Sequence, residues 1–168
     1  MKKSLITVMA GLILNLVCFS TAFGATTAHA GDICTPLNPQ KVASLFDRWN
    51  NSLQTKDSNK VAANYAADAI LLPTISNRPR TNHKEIISYF NNFLKANPVG
   101  TINQRVIRYG SDWASDTGLY TFTLTENGKS RQVRARYSFV YECIDGQWLI
   151  VHHHSSMMPK AESEEEDD

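Results

Sequence analysis

From residue 38 onward the apolar positions recur at helical spacing. Val42, Leu45, Phe46, Trp49 and Leu53 form one stripe, and Asn38-Pro39 opens it with a capping side chain followed by proline at the first helical position. This helix is expected to run to about Thr55. Asp57 or Ser58 caps a second, short helix carrying Val61, Ala62 and Tyr65, which stops near Asp68. Ala69 to Leu72 reads as a strand ended by Pro73, and residues 74–81, with Asn77, Arg78, Pro79 and Arg80, read as a loop. Asn82 with Glu85 makes a capping box for a third helix, whose inward positions are Ile86, Ile87, Phe90, Phe93 and Leu94 and which Asn97-Pro98 stops.

After Thr101 the period changes. Segments near 101–109, 117–126, 129–144 and 147–156 are rich in Thr, Tyr, Phe, Val and Ile, and Asn127-Gly128 and Asp145-Gly146 are two-residue type I′ hairpin signals. Three helices followed by a four-stranded antiparallel meander predict an α+β fold, with the helices packed on one face of a curved sheet. Opposed residues of a hairpin share a face. Counting from Asp145-Gly146 sets Cys143 opposite Trp148, Tyr141 opposite Ile150, Phe139 opposite His152 and Tyr137 opposite His154. Counting from Asn127-Gly128 sets Phe122 opposite Val133 and Tyr120 opposite Ala135. This aromatic face is the one the helical stripes cover. The other carries Arg134, Arg136, Val140, Leu149 and Val151 among charges, a mixture that reads as a subunit interface. A bulge in either strand would invert part of the assignment.

The segment before these elements has a different character. Lys2-Lys3, an apolar run from Leu5 to Phe19 and the small-x-small triplet Ala28-His29-Ala30 match a secretory signal peptide over residues 1–30, with cleavage after Ala30 or, alternatively, Gly24. A stretch of fifteen residues, interrupted by Thr7, Gly11 and Asn15, is short for a membrane span. The expected product is exported, periplasmic or secreted, with one domain over 31–160 and an acidic, disordered tail over 161–168. Export leaves Cys34 and Cys143, which form either a disulfide or two buried thiols. The 168 residues carry 17 Lys+Arg and 16 Asp+Glu. Six acids crowd the last seven residues, so residues 31–160 hold 15 basic and 10 acidic side chains. That modest surplus gives no footprint for nucleic acid.

Arg136-Tyr137-Ser138-Phe139-Val140-Tyr141-Glu142, followed by residues 145–156 (Asp-Gly-Gln-Trp-Leu-Ile-Val-His-His-His-Ser-Ser), resembles the closing hairpin of the association (hub) domain of calcium/calmodulin-dependent protein kinase II. It is closer still to that domain's stand-alone bacterial relatives, which include the SgcJ/EcaC family. Leu45-Phe46-Asp47-Arg48-Trp49 through Tyr65-Ala66-Ala67-Asp68-Ala69 fits the same pattern, so the likeness spans about residues 36–159. It implies the nuclear-transport-factor-two-like (cystatin-like) cone of three helices wrapped by a bent sheet, self-association, and a hollow between helices and sheet. Kinase activity is not implied. The kinase hubs line their hollow with arginines; the matching positions here are Phe122, Phe139 and Ser155, so this hollow is expected to be more apolar.

The candidate chemistry is sparse. His152 and His154 share a side of a strand at metal-ligand spacing, but no third ligand accompanies them beyond the distant Asp68 and His83, so no metal and no cofactor are expected. The absence of a Gly-rich fingerprint and of Cys-x-x-Cys agrees. Two readings of function remain. In the first, a self-associating module holds a small apolar or aromatic molecule among Tyr120, Phe122, Tyr137, Phe139, His152 and His154. In the second, an isomerase, cyclase or dehydratase uses His152 or His154 as acid or base with Tyr137, and Asp68 as orienting group.

Overall fold

The side chain of Asn38 accepts a hydrogen bond from the Lys41 backbone N–H at 2.7 Å, and with Pro39 behind it this cap starts α1 (Pro39–Gln54). The structure, a computed structural model, describes residues 33–159 except residue 75; the expected leader and acidic tail lie outside the described residues. The α1 stripe Val42, Leu45, Phe46, Trp49 and Leu53 is buried as its spacing predicts. α2 (Ser58–Ala62), capped by Asp57, is shorter than expected. Asn64 ends it: its side-chain amide donates to the carbonyls of Lys60 and Val61 at 3.1 and 3.0 Å, taking up acceptors that another helical turn would have used. Tyr65 therefore belongs not to the helix but to β1 (Tyr65–Leu72). Asn82 caps α3 (His83–Phe93), accepting from the Glu85 N–H at 3.0 Å, while the Glu85 carboxylate reaches back to Thr81 N at 3.0 Å.

β2 (Val99–Tyr109), β3 (Trp113–Glu126), β4 (Lys129–Ile144) and β5 (Gln147–Met157) form the antiparallel meander, in sheet order β1-β5-β4-β3-β2. The sheet has five strands, one more than the meander expected from the sequence, because β1 adds in parallel to the outer side of β5. Both tight turns are as expected: Asn127-Gly128 has φ of 51° and 75°, Asp145-Gly146 of 49° and 73°. Gly118 is required by a close approach. β2 shifts register between Ile102 and Gln104, and a Cβ on Gly118 would lie 2.0 Å from the Gln104 carbonyl oxygen.

Cys34 and Cys143 are joined by a disulfide with Cα atoms 5.9 Å apart, and Trp148 Nε1 donates to Thr35 O at 3.0 Å, so the segment before α1 is fastened to the final hairpin. The bridge spans 109 residues of sequence. Replacing both cysteines by serine is expected to lower unfolding free energy by about 2–4 kcal/mol. Denaturant melts measure this; an unchanged midpoint would contradict it.

One register feature decides what the interior contains. The facing count from Asn127-Gly128 holds throughout, with Phe122 opposite Val133 and Tyr120 opposite Ala135. The count from Asp145-Gly146 holds for Cys143–Trp148 and Tyr141–Ile150 and then fails. A bulge leaves Val151 without a partner on β4, so Val140 pairs His152, Phe139 pairs His153, Ser138 pairs His154 and Tyr137 pairs Ser155. Beyond the bulge each β5 side chain has changed face. His153 is thus inside, and His152 and His154, expected inside, lie on the outer face.

Candidate functional site

The interior is built on the aromatic face of the sheet. Phe46 and Trp49 of α1 pack against Tyr137, Phe139 and Phe122, with ring centroids 5.2–6.3 Å apart. Phe90 and Phe93 of α3 close the other side, against Trp49 and Phe122. His153 sits in the middle, 3% exposed, its ring stacked on Phe139 at 4.0 Å and meeting Trp49 edge-on at 5.2 Å.

A hydrogen-bond chain fixes the state of that imidazole. Trp49 Nε1–H donates to the Tyr65 hydroxyl oxygen at 2.9 Å, and the Tyr65 hydroxyl lies 2.9 Å from His153 Nδ1. Among the described residues the Tyr65 hydroxyl has no acceptor other than Nδ1, since the indole N–H can only donate, so we assign the Tyr65 proton to Nδ1 and the imidazole proton to Nε2. Burial, aided by the neighbouring His152 and His154, holds the His153 pKa down at about 3, so the ring is neutral at physiological pH. Nε2 is buried and has no partner. Such a group costs about 1–3 kcal/mol unless something accepts its proton.

His153 lines a cavity of about 20 Å³ together with Tyr120, Phe122, Ser155 and Thr74. Tyr120 donates to Ser155 Oγ at 2.6 Å, and the Thr74 and Ser155 hydroxyls are hydrogen-bonded to each other. Four residues of this cavity (Thr74, Tyr89, Phe93, Phe122) also line a throat of about 70 Å³ whose other walls are Leu124, Val133, Ala135, Met157 and Arg131. The throat in turn shares Tyr89, Phe93, Leu124 and Arg131 with an open groove of about 360 Å³ edged by Arg80 and Glu126. Burial pushes the Tyr89 hydroxyl up to about 12, despite Arg80 nearby, so it too stays protonated.

The second polar group of the interior is a buried ion pair. Asp116 is fully buried and accepts a hydrogen bond at Oδ1 from Arg105 Nε at 3.0 Å, while Arg105 Nη2 lies 3.0 Å from Oδ2 as an ion-pair contact without hydrogen-bond geometry. The Tyr137 hydroxyl donates to Oδ1 at 2.8 Å. Burial pushes the Asp116 carboxyl upward, with Tyr137 and Arg105 opposing. It also drives the Tyr137 hydroxyl up, an effect the hydrogen bond to Asp116 reinforces. The guanidinium lies 5.6 Å over the Phe46 ring.

Of the expected site residues, Tyr120 and Phe122 line the cavity, and Phe139 and Tyr137 are core behind it. The expected pairing of His152 or His154 with Tyr137 is not formed: the bulge at Val151 puts those histidines on the opposite face of the sheet, and the Tyr137 hydroxyl is taken by Asp116. Asp68 is exposed on β1, and His83 Nε2 is bonded to Tyr65 O at 2.8 Å. Arg134, Arg136, Val140 and Leu149 lie on the outer face as expected, while Val151 is the bulge residue. Among the described residues no cluster of three or more His, Cys, Asp or Glu could hold a metal. The sequence reading missed His153, Thr74, Tyr65 and the Arg105–Asp116 pair, and had Ser155 only as a position that the resemblance sets in the hollow. Asp116 alone had a usable signal: it stands four residues before the inward Tyr120 on the same strand, hence on the same face.

Residues 38–159 match the family model described as the calcium/calmodulin dependent protein kinase II association domain. Among solved structures, a putative protein of that domain type from Xanthomonas campestris is similar at 48% identity and a TM-score of 0.72, covering 79% of this chain and 99% of its own. An NTF2-like protein with a cystatin-like fold from Novosphingobium aromaticivorans superposes with a TM-score of 0.62 at 8% identity, covering 73% of this chain and 82% of its own. A putative scytalone dehydratase from the same organism does so at 10% identity and 0.62, covering 71% and 83%. These last two show the shared fold alone. No curated protein matches.

Proposed function

The chain belongs to the calcium/calmodulin-dependent protein kinase II association-domain family, and from that premise we propose that it is an exported, self-associating domain that pairs through the outer face of its sheet and holds a small apolar molecule within. The observation that carries the reading is that outer face. Across β1, β5, β4 and β3 one row sets Ile70, His152, Val140 and Ser115 side by side, and another sets Leu149, Glu142 and Trp113 together. Ile70 and Trp113 are each 42% exposed, and the helical stripes pack on the other face. Arg136 and Glu142 give the same strand both signs of charge, which suits a surface that meets its own copy. The leader-like first thirty residues and the Cys34–Cys143 bridge support export.

Light scattering on the mature chain tests the assembly. The expected result is at least twice the monomer mass at micromolar concentration. Introducing unpartnered charges in the double variant Val140→Lys/Leu149→Lys is expected to weaken association by roughly 100-fold or more while leaving the monomer folded. A clean monomer from the unaltered chain would refute the reading.

A further inference from the structure

We propose that the cavity against His153 is a binding site for a small, uncharged, largely apolar molecule carrying one hydrogen-bond-accepting oxygen, a monocyclic aromatic ketone being a suitable example. The oxygen accepts from Nε2–H and the apolar body lies in the throat. The inference rests on the small-molecule part of the function proposed above and adds the chemical class.

Three observations select that class. First, the lining of the cavity includes a buried nitrogen for which the described residues supply no partner. The Trp49–Tyr65–His153 chain leaves the imidazole proton on Nε2, which is buried without a partner, whereas the Tyr120, Ser155 and Thr74 hydroxyls each take part in at least one hydrogen bond of a chain through Ser155. That buried N–H asks for an acceptor, which a carbonyl oxygen supplies. Second, charge is disfavoured. The imidazole is neutral, and the buried ions, Arg105 and Asp116, neutralise each other elsewhere in the core and do not line the cavity. Third, the exit from the cavity is apolar: Phe93, Phe122, Leu124, Val133, Ala135 and Met157 form the throat, and the polar Arg131 stands where it meets the open groove. An apolar body of a few carbon atoms is what such walls shelter. About 20 Å³ also suffices for a single water, the competing occupant.

The test is an NMR titration of the mature protein with three probes of similar size: acetophenone, ethylbenzene and benzoate. The resonances followed are His153 Nε2–H and the side chains of Phe93, Phe122 and Met157. The expected result is saturable binding of acetophenone, about tenfold tighter than ethylbenzene, with benzoate weakest and with a shift of the Nε2–H signal for the ketone alone. In His153→Phe, acetophenone and ethylbenzene are expected to bind equally. Ketone against hydrocarbon in the unaltered protein decides the class even where that variant fails to fold. Equal binding of the two would overturn the proposed class and leave a simple apolar pocket standing. Absence of binding by all three, with Nε2–H bonded to a lone water, would overturn the pocket as well.

Discussion

Replacing Arg105 by methionine is expected to lower stability by about 3–5 kcal/mol near pH 8, because it strands the buried Asp116 carboxylate with Tyr137 as its one remaining donor. The pH dependence has a definite sign. In the variant the folded-state pKa of Asp116, already raised by burial, rises further above its unfolded value. The penalty is therefore full above the folded pKa and shrinks as acidification lets the carboxyl take up a proton in the folded chain. Denaturant melts at pH 8 and pH 4 should show a smaller deficit at pH 4. The double variant Arg105→Met/Asp116→Asn, which removes the charge altogether while keeping an acceptor for Tyr137, should recover most of the loss. A single variant within about 1 kcal/mol of the parent would mean that the pair is solvated and contributes little.

The second large effect concerns acid. His153 has a folded-state pKa of about 3, against about 6.5 in an unfolded chain. Between those values the unfolded chain binds a proton that the folded chain refuses. The contribution is complete above pH 6.5 and is lost as pH falls toward 3, at about 1.4 kcal/mol per pH unit. Over the whole window this amounts to on the order of 4–5 kcal/mol. His153→Phe removes the titration. The substitution also leaves the Tyr65 hydroxyl without its acceptor, so the variant is expected to be less stable at pH 8 yet to show a flatter loss between pH 6.5 and 4. The slope, not the absolute stability, is the readout. Equal slopes in parent and variant would show that His153 is not kept neutral by burial.

The two halves of the molecule are unequally legible in the sequence. The α1 stripe, the caps at Asn38 and Asn82 and the two type I′ turns are local signals, and each is present in the structure. Facing can be counted outward from Asn127-Gly128 without error, because no bulge interrupts β3 against β4. The same arithmetic from Asp145-Gly146 fails after four residues of β5, since nothing in Ile150-Val151-His152 marks a bulge locally and a single extra residue exchanges the faces. Three consecutive histidines make the error consequential: the middle one, passed over as neither ligand nor base, is the one inside. The parallel addition of β1 is hidden for a different reason. Its partner lies roughly eighty residues later in the chain, and a short apolar run carries no statement of which edge it will join. The inward position of Asp116 is readable by parity, but a carboxylate at a core position has no compensation visible until Arg105 is brought beside it.

The outer sheet face acquires a use from the same bulge. Moving His152 and His154 outward puts them beside Ile70, Leu72 and Val140 on the surface proposed for pairing, while the neutral His153 stays inside. Binding inside and assembly outside are thus separate properties of two faces of one strand.

The most direct measurement is ¹⁵N NMR of the histidine side chains of the mature protein across pH 8 to 4. One imidazole, that of His153, is expected to stay protonated at Nε2 and bare at Nδ1 throughout that range. His153 gaining charge within that range, or a proton found on Nδ1 of His153, would contradict the neutral interior donor.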